Sequence, residues 1–383
     1  MLDPRFMLDP RFMLDPRFML DPRFMLDPRF MLDPEAEPVT RWWSTYAETA
    51  DVDLSDPVVA GRAIHVALRA ELLDLPAPGS GRTAQRWSSL AALAAADVTL
   101  AKLGEAHADA VVILAELGGP PPGAALWGVW AARTPALRAT PDTPERAELW
   151  RLSGTKPYAS GYGCCGRALV TAVTDAGNGL FAVDPEDPGV VADESSWPAI
   201  GMSGTRSLTL TFTDVPAVQV GRAGEYFGRP GFWWGGAGIA ACWYGGAVGI
   251  ARPLYDRVAR DETRAGTEGG RPDGADHRAA HLGAVHAALT ATAATLDATA
   301  AGIDAHSVAA DGFAAALTAR TVAEYTAGLV VDRVGRALGP GPLATDRAHA
   351  RRVADLQLFV RQSHAESDLA ELGRRVAAAP ADR

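Results

Sequence analysis

The chain has 383 residues, 48% hydrophobic and 21% charged, the composition of a globular protein with room for two or three domains. Its net charge of −10 argues against a nucleic-acid partner, which requires a basic face. Three cysteines (Cys164, Cys165 and Cys242) exclude a disulfide framework, no Cys/His spacing suits a metal, and the chain reads as cytoplasmic. No apolar run approaches the roughly 20 residues of a membrane span, and the N-terminus lacks the apolar core of a signal peptide.

Residues 1–34 repeat Met-Leu-Asp-Pro-Arg-Phe, with copies starting at residues 1, 7, 13, 19 and 25 and a partial copy from Met31. A proline every six residues forbids a continuous helix, so residues 1–35 are expected to be disordered. Residues 36–122 read as a helical domain. Asp97 can cap a helix that continues to Leu117, with Leu100, Leu103, His107, Val111, Leu114 and Leu117 on one buried face. His107 then sits in an apolar stripe, as a satisfied core histidine or as a polar group aimed at a cofactor or substrate. Gly118-Gly-Pro-Pro-Pro-Gly123 breaks the helix.

Residues 123–222 read as a β domain. Ala168–Ala172 and Gly179–Val183 are short apolar runs between turn formers. From Ser207 to Thr213 the pattern alternates, with Leu208, Leu210 and Phe212 on one face and threonines on the other; Asp214-Val-Pro216 is expected to end that strand. Strands at such short spacing suggest a small antiparallel barrel or sandwich. Residues 223–383 are helical again: a small-residue stretch over 236–250, a polar loop over 264–276, and helices over about 277–301, 309–338 and 348–377. In the second of these, Ala323, Ala327, Val330, Val334 and Leu338 form a stripe and Gly339 is a natural stop. The fold class is therefore α+β: an N-terminal helical domain, a small β domain and a C-terminal four-helix bundle.

This order, with these residues, resembles the acyl-CoA dehydrogenase superfamily over nearly everything after residue 36, the chain being a divergent member. The residues that carry the likeness are Leu152-Ser-Gly-Thr-Lys156, Tyr158-Ala-Ser-Gly161, Gly201-Met202, Ser207, the Phe212-x-Asp-Val-Pro216 ending, Gly246-Ala-Val-Gly-Ile-Ala251 and Glu105-x-His107-x-Asp109. The resemblance implies FAD between the β domain and the bundle, α,β-dehydrogenation of a small acyl thioester such as an acyl-CoA, an electron-accepting flavoprotein or reductase, and a homodimer or homotetramer. It puts Ser160 where a hydroxyl bonds the flavin and Trp130 near the first flavin-contacting strand; Tyr158 packs in the core or beside the ring.

The sequence departs from that pattern at the base. Matching Ala354-Asp355 to the family's Arg-Asp pair puts Ser363 where the usual glutamate stands, with His364 after it. His364 lies four residues after Val360 and eight after Leu356, so it shares the inward face of its expected helix. His107, Ser160 and His364 together resemble the flavin monooxygenase branch, which draws reduced flavin from a partner reductase. His364 could equally serve a dehydrogenase as the base. A third reading is a non-catalytic subunit that lost its base.

Overall fold

The computed structural model describes residues 37–49, 52–142, 149–268, 270–306 and 312–378. The hexapeptide repeat and its expected disorder lie outside these residues. Four helices come first: α1 (Glu37–Thr49), α2 (Pro57–Arg69), α3 (Thr83–Ala96) and α4 (Val98–Leu117). Asp97 separates the last two. Its extended backbone stops α3, and its side chain accepts hydrogen bonds from the amides of Thr99 (2.9 Å) and Leu100 (3.4 Å), which starts α4. α4 stops at Gly118, whose φ of 67° lets its amide return to the Leu114 carbonyl. Leu100, Leu103, His107 and Leu114 are buried as expected. Val111 and Leu117 are half-buried, because Val112 and Ile113 take the inner positions at that end.

The strands follow: β1 (Trp127–Trp130), β2 (Leu137–Pro141), β3 (Leu149–Ala159), β4 (Arg167–Thr174), β5 (Gly177–Val183), β6 (Val190–Asp193) and β7 (Leu208–Val220). The pairings β4–β2–β3–β7–β5–β4 close on themselves; β1 adds to β4 and β6 to β7. The expected wholly antiparallel arrangement is not what forms, since β1 and β2 both run parallel to β4. β1 reaches β4 by way of β2, β3 and the 160–166 turn rather than by a hairpin, so it can enter in the parallel sense. Leu152, Val170, Phe181, Leu208, Leu210, Phe212 and Val215 fill the interior. Burying a side chain such as Phe181 contributes about 2–3 kcal/mol.

β7 does not end at Pro216 as its sequence suggests. Asp214 takes a φ of 53°, the register slips by one residue between Leu152 and Gly154 of the partner strand, and pairing resumes at Leu152↔Val215 and continues through Arg151↔Pro216.

The remaining helices are α5 (Glu225–Gly228), α6 (Pro230–Glu268), α7 (Ala275–Asp304), α8 (Phe313–Leu338), α9 (Gly341–Thr345), α10 (Arg347–Phe359) and α11 (Glu366–Ala378). α6 packs on α3, α4, α7, α8 and α10. A Cβ at Gly245 would overlap the Ala91 carbonyl, so the glycine-rich run of α6 is what lets α3 approach. α6 runs to Glu268, into the first residues of the stretch read as a loop over 264–276, and α7 starts at Ala275. Asp261, bonded to Arg257 (3.1 Å) and Arg278 (2.7 Å), ties this extension to α7.

The helix expected over 348–377 is broken. α10 ends at Phe359, a single 3-10 turn covers residues 360–362, Ser363 is extended, and Ala365 has a φ of 44° before α11 begins. Among the described residues no helix is long and apolar enough to cross a membrane.

Candidate functional site

The chemistry-bearing residues gather where the turn after β3 meets β1 and the 3-10 turn before β7. Trp130, at the end of β1, is 1% exposed, and its indole Nε1 donates to the Ser160 carbonyl at 2.9 Å. Gly128 has to be bare, because a Cβ there would stand 2.9 Å from that indole nitrogen. The next amide, Gly161 N, donates to Thr205 O at 2.7 Å, and Gly161 itself has a φ of 81°. Ser160 is thus fixed on both sides while its own side chain stays half-buried.

The Ser160 hydroxyl continues into a chain of hydroxyls. Ser160 Oγ lies 2.7 Å from Ser207 Oγ, which lies 2.8 Å from Thr205 Oγ1, which donates to the Met202 carbonyl at 2.7 Å. That carbonyl also receives the Thr205 amide (3.0 Å) and the Trp197 indole (3.1 Å).

Met202 is held in turn by Asp355 of α10. Oδ1 of Asp355 accepts from the Met202 amide at 2.6 Å, and Oδ2 accepts from Arg351 at 2.8 Å. Arg351 also bonds Asp97, the cap of α4. Asp355 is buried, and burial pushes its carboxyl up to about 6 against the opposing pull of Arg351. Gly201 is needed here as well: a Cβ would overlap the Ala354 carbonyl. The two motif segments Gly201-Met202 and Ala354-Asp355, far apart in sequence, are therefore one clamp.

His107 is 3% exposed, and its Nδ1 accepts the Trp127 amide at 3.2 Å. Burial pushes the imidazole down to about 4, so it is neutral near pH 7. A neutral ring with a lone pair on Nδ1 is what an unpaired strand amide needs; His107 joins α4 to the start of β1 and so fixes the strand that carries Trp130. Tyr158, with a φ of 60°, is 62% exposed and does not pack in the core. The neighbours of His107 in its motif, Glu105 and Asp109, form ion pairs: Glu105 with Lys102 (3.1 Å) and Asp109 with Arg86 (2.7 Å). Burial raises the Glu105 carboxyl, opposed by Lys102.

His364 is not on an inward helix face, because the helix breaks before it. It lies in the α10–α11 link with its side chain 78% exposed, and its Nδ1 is 3.3 Å from Asp368 Oδ1. The structure therefore joins Trp130 to Ser160 directly, joins His107 to them through β1, and leaves His364 bonded to Asp368. Arg320 holds the link to the bundle. Its guanidinium donates to Gly236 O (3.1 Å) and Gln362 O (3.0 Å) and lies 4.8 Å over the Trp243 ring. A groove of 270 Å³ runs nearby between α8 and α10, lined by Ala327, Gly328, Val331, Leu356, Val360 and Arg361 among others. Among the described residues no group of His, Cys, Asp and Glu is placed to hold a metal ion.

Thr205 and Arg320 are the residues that sequence reasoning missed. The sequence offers no signal for Arg320. For Thr205 the only hint is its place two residues before Ser207, at the start of an alternating strand.

No protein-family model matches the chain, and no curated protein sequence matches it. Solved structures are similar over most of its length. A glutaryl-CoA dehydrogenase from Mycobacterium smegmatis, in complex with FADH2, aligns over 94% of this chain and 99% of its own at 15% identity and a TM-score of 0.75. A nitrososynthase from Micromonospora carbonacea var. africana aligns over 93% of this chain and 100% of its own at 19% identity and a TM-score of 0.72. The dibenzothiophene monooxygenase TdsC from Paenibacillus sp. A11-2 aligns over 85% and 96% at 17% identity and a TM-score of 0.63. Identities this low speak for the fold alone: the chain has the fold that acyl-CoA dehydrogenases share with the nitrososynthase and TdsC.

Proposed function

We propose that this chain is a flavin-dependent oxidoreductase of a small molecule, holding the edge of a flavin, FAD in the first instance, against Ser160. The observation that carries this reading is the Ser160 seat. A half-buried, uncharged hydroxyl is bonded from behind to Ser207 and through it to Thr205, its backbone carbonyl is held by Trp130, and no carboxylate is among these partners. The ring edge of a flavin is an uncharged array of nitrogen and oxygen atoms, and an oriented hydroxyl is a fitting partner for it. Neighbours on this fold hold FADH2 in the glutaryl-CoA dehydrogenase and FMN in TdsC. Trp130 and His107 act by holding the seat in place. Ser160→Ala is expected to weaken binding of reduced flavin about tenfold, the worth of one hydrogen bond; unchanged affinity for both the reduced and the oxidised cofactor would remove Ser160 from the site.

When bound, the flavin supplies the two-electron redox step. The chain's own residues bind it, orient it and handle protons. For the proton we propose His364. Asp368 beside Nδ1 favours the tautomer with the proton on that nitrogen, which leaves the Nε2 lone pair to take a proton from substrate. His364→Gln should abolish turnover and leave flavin binding intact, and full turnover in that variant would rule out the assignment. Two reactions suit such a seat: α,β-dehydrogenation of an acyl thioester with His364 as an atypical base, and oxygenation with reduced flavin delivered by a partner reductase. They differ in the oxidation state of the flavin that the protein must bind. The family resemblance implies a homodimer or homotetramer, which sedimentation would test.

A further inference from the structure

We infer that Thr205 and Ser207 select the oxidation state of the flavin, by making the Ser160 hydroxyl an obligate acceptor so that the site takes reduced flavin in preference to oxidised. This rests on the proposed flavin seat at Ser160.

The polarity follows from counting hydrogens. A hydroxyl has one hydrogen to give. The Met202 carbonyl can only accept, so Thr205 commits its hydrogen there. Thr205 can then only accept from Ser207, which commits the Ser207 hydrogen. Ser207 can then only accept from Ser160, which commits the Ser160 hydrogen inward. What Ser160 turns outward is lone pairs.

Reversing the chain would leave Thr205 Oγ1 and Met202 O facing each other at 2.7 Å with no hydrogen between them. Thr205 is 1% exposed and Ser207 5%, so water cannot make good the loss. The base of the relay is also fixed, because Asp355 holds the Met202 amide. The relay is short, buried and anchored, and hydrogen-bonded hydroxyls in series reinforce one another's direction.

We set flavin N5 against Ser160, because N5 is the edge atom whose hydrogen-bonding role changes with oxidation state. Oxidised, it offers a lone pair; after two-electron reduction it carries a hydrogen. A seat that offers only lone pairs bonds the reduced form and sets lone pair against lone pair in the oxidised form. Of the two reactions above, this favours the one that begins with reduced flavin, so a reductase or another source of reduced flavin must supply the site. Thr205 acts through Ser207 and Ser160 and is a positioning residue.

The test is anaerobic equilibrium binding of FAD and of dithionite-reduced FAD to the whole chain. Reduced FAD is expected to bind about tenfold tighter than oxidised FAD, the value of one hydrogen bond gained. By the two-electron relation this raises the midpoint potential of bound flavin about 30 mV above that of free FAD. Thr205→Val keeps the shape but removes the commitment, so that Ser207 can donate to Ser160 and Ser160 outward; the ratio should fall to near one or invert. Thr205→Ser should restore it. If Thr205→Val does not fold by circular dichroism, Ser207→Ala frees Ser160 in the same way. Equal affinities in the wild type, or an unchanged ratio in the folded variant, would overturn the relay while leaving the flavin seat. Absence of binding in both oxidation states would overturn the seat itself, and the relay with it.

Discussion

Gly154→Ala is expected to prevent the strand region from folding, with a loss of more than about 4 kcal/mol, a size reserved for a few severe mechanisms. Gly154 has a φ of 124°, where side chains are strained. It also sits at the β3 register shift opposite Leu137, and a Cβ would overlap the backbone oxygen of Ala136, whose carbonyl already accepts the Thr155 amide at 3.2 Å. A backbone atom cannot step aside as the tip of a flexible side chain can. β3 pairs with both β2 and β7, so displacing it opens the closed set of strands. Circular dichroism and urea unfolding of the variant check this; a variant within about 1 kcal/mol of wild type, the typical effect of a single substitution, would contradict it.

Asp355→Ala is expected to cost about 3 kcal/mol, because it leaves the Met202 amide without its acceptor and removes one carboxylate from the half-buried Arg351. The same residue gives stability a pH dependence of defined sign. Its carboxyl is raised from the ordinary 3.8 to about 6 by burial. Between those values the folded protein holds more protons than the unfolded chain, so this group's contribution is fully present below about pH 4 and lost as pH rises through 6. The full loss is about 3 kcal/mol on that shift. Asp355→Asn cannot titrate. Its urea midpoint should therefore lack this decline, and the gap between wild type and variant should narrow from pH 4 to pH 6. A gap that widens over that range would reverse the assignment.

Features written in neighbouring residues are legible in the sequence alone. Asp97 and Gly118 bound α4 because a cap and a left-handed stop are local devices. The inner face of β7 follows from strict alternation at Leu208, Leu210 and Phe212. Features that depend on distant partners are not legible in this way. Leu356, Val360 and His364 keep helical spacing through residue 364, yet the helix ends at Phe359, and Arg320 of α8 draws the Gln362 carbonyl toward itself. The sequence of β7 reads as ending at Pro216, but β3 pairs with the strand through that proline to Val218. The site divides in the same way. Ser160 and Trp130 are legible as motif residues, and their hydrogen bond is not, because it spans 30 positions. Thr205 carries no motif; only the turn that brings it beside Ser207 reveals what it does to Ser160.

The central claim is that this chain seats a flavin at Ser160. Its most direct test is saturation binding of FAD to purified wild-type and Ser160→Ala protein, measured anaerobically with the cofactor oxidised and then reduced. The expected result is saturable binding to the wild type at one flavin per chain, strongest for the reduced cofactor, with affinity for the reduced cofactor lowered in Ser160→Ala. A folded wild type that binds neither form, or a Ser160→Ala protein that binds both as the wild type does, would contradict the seat.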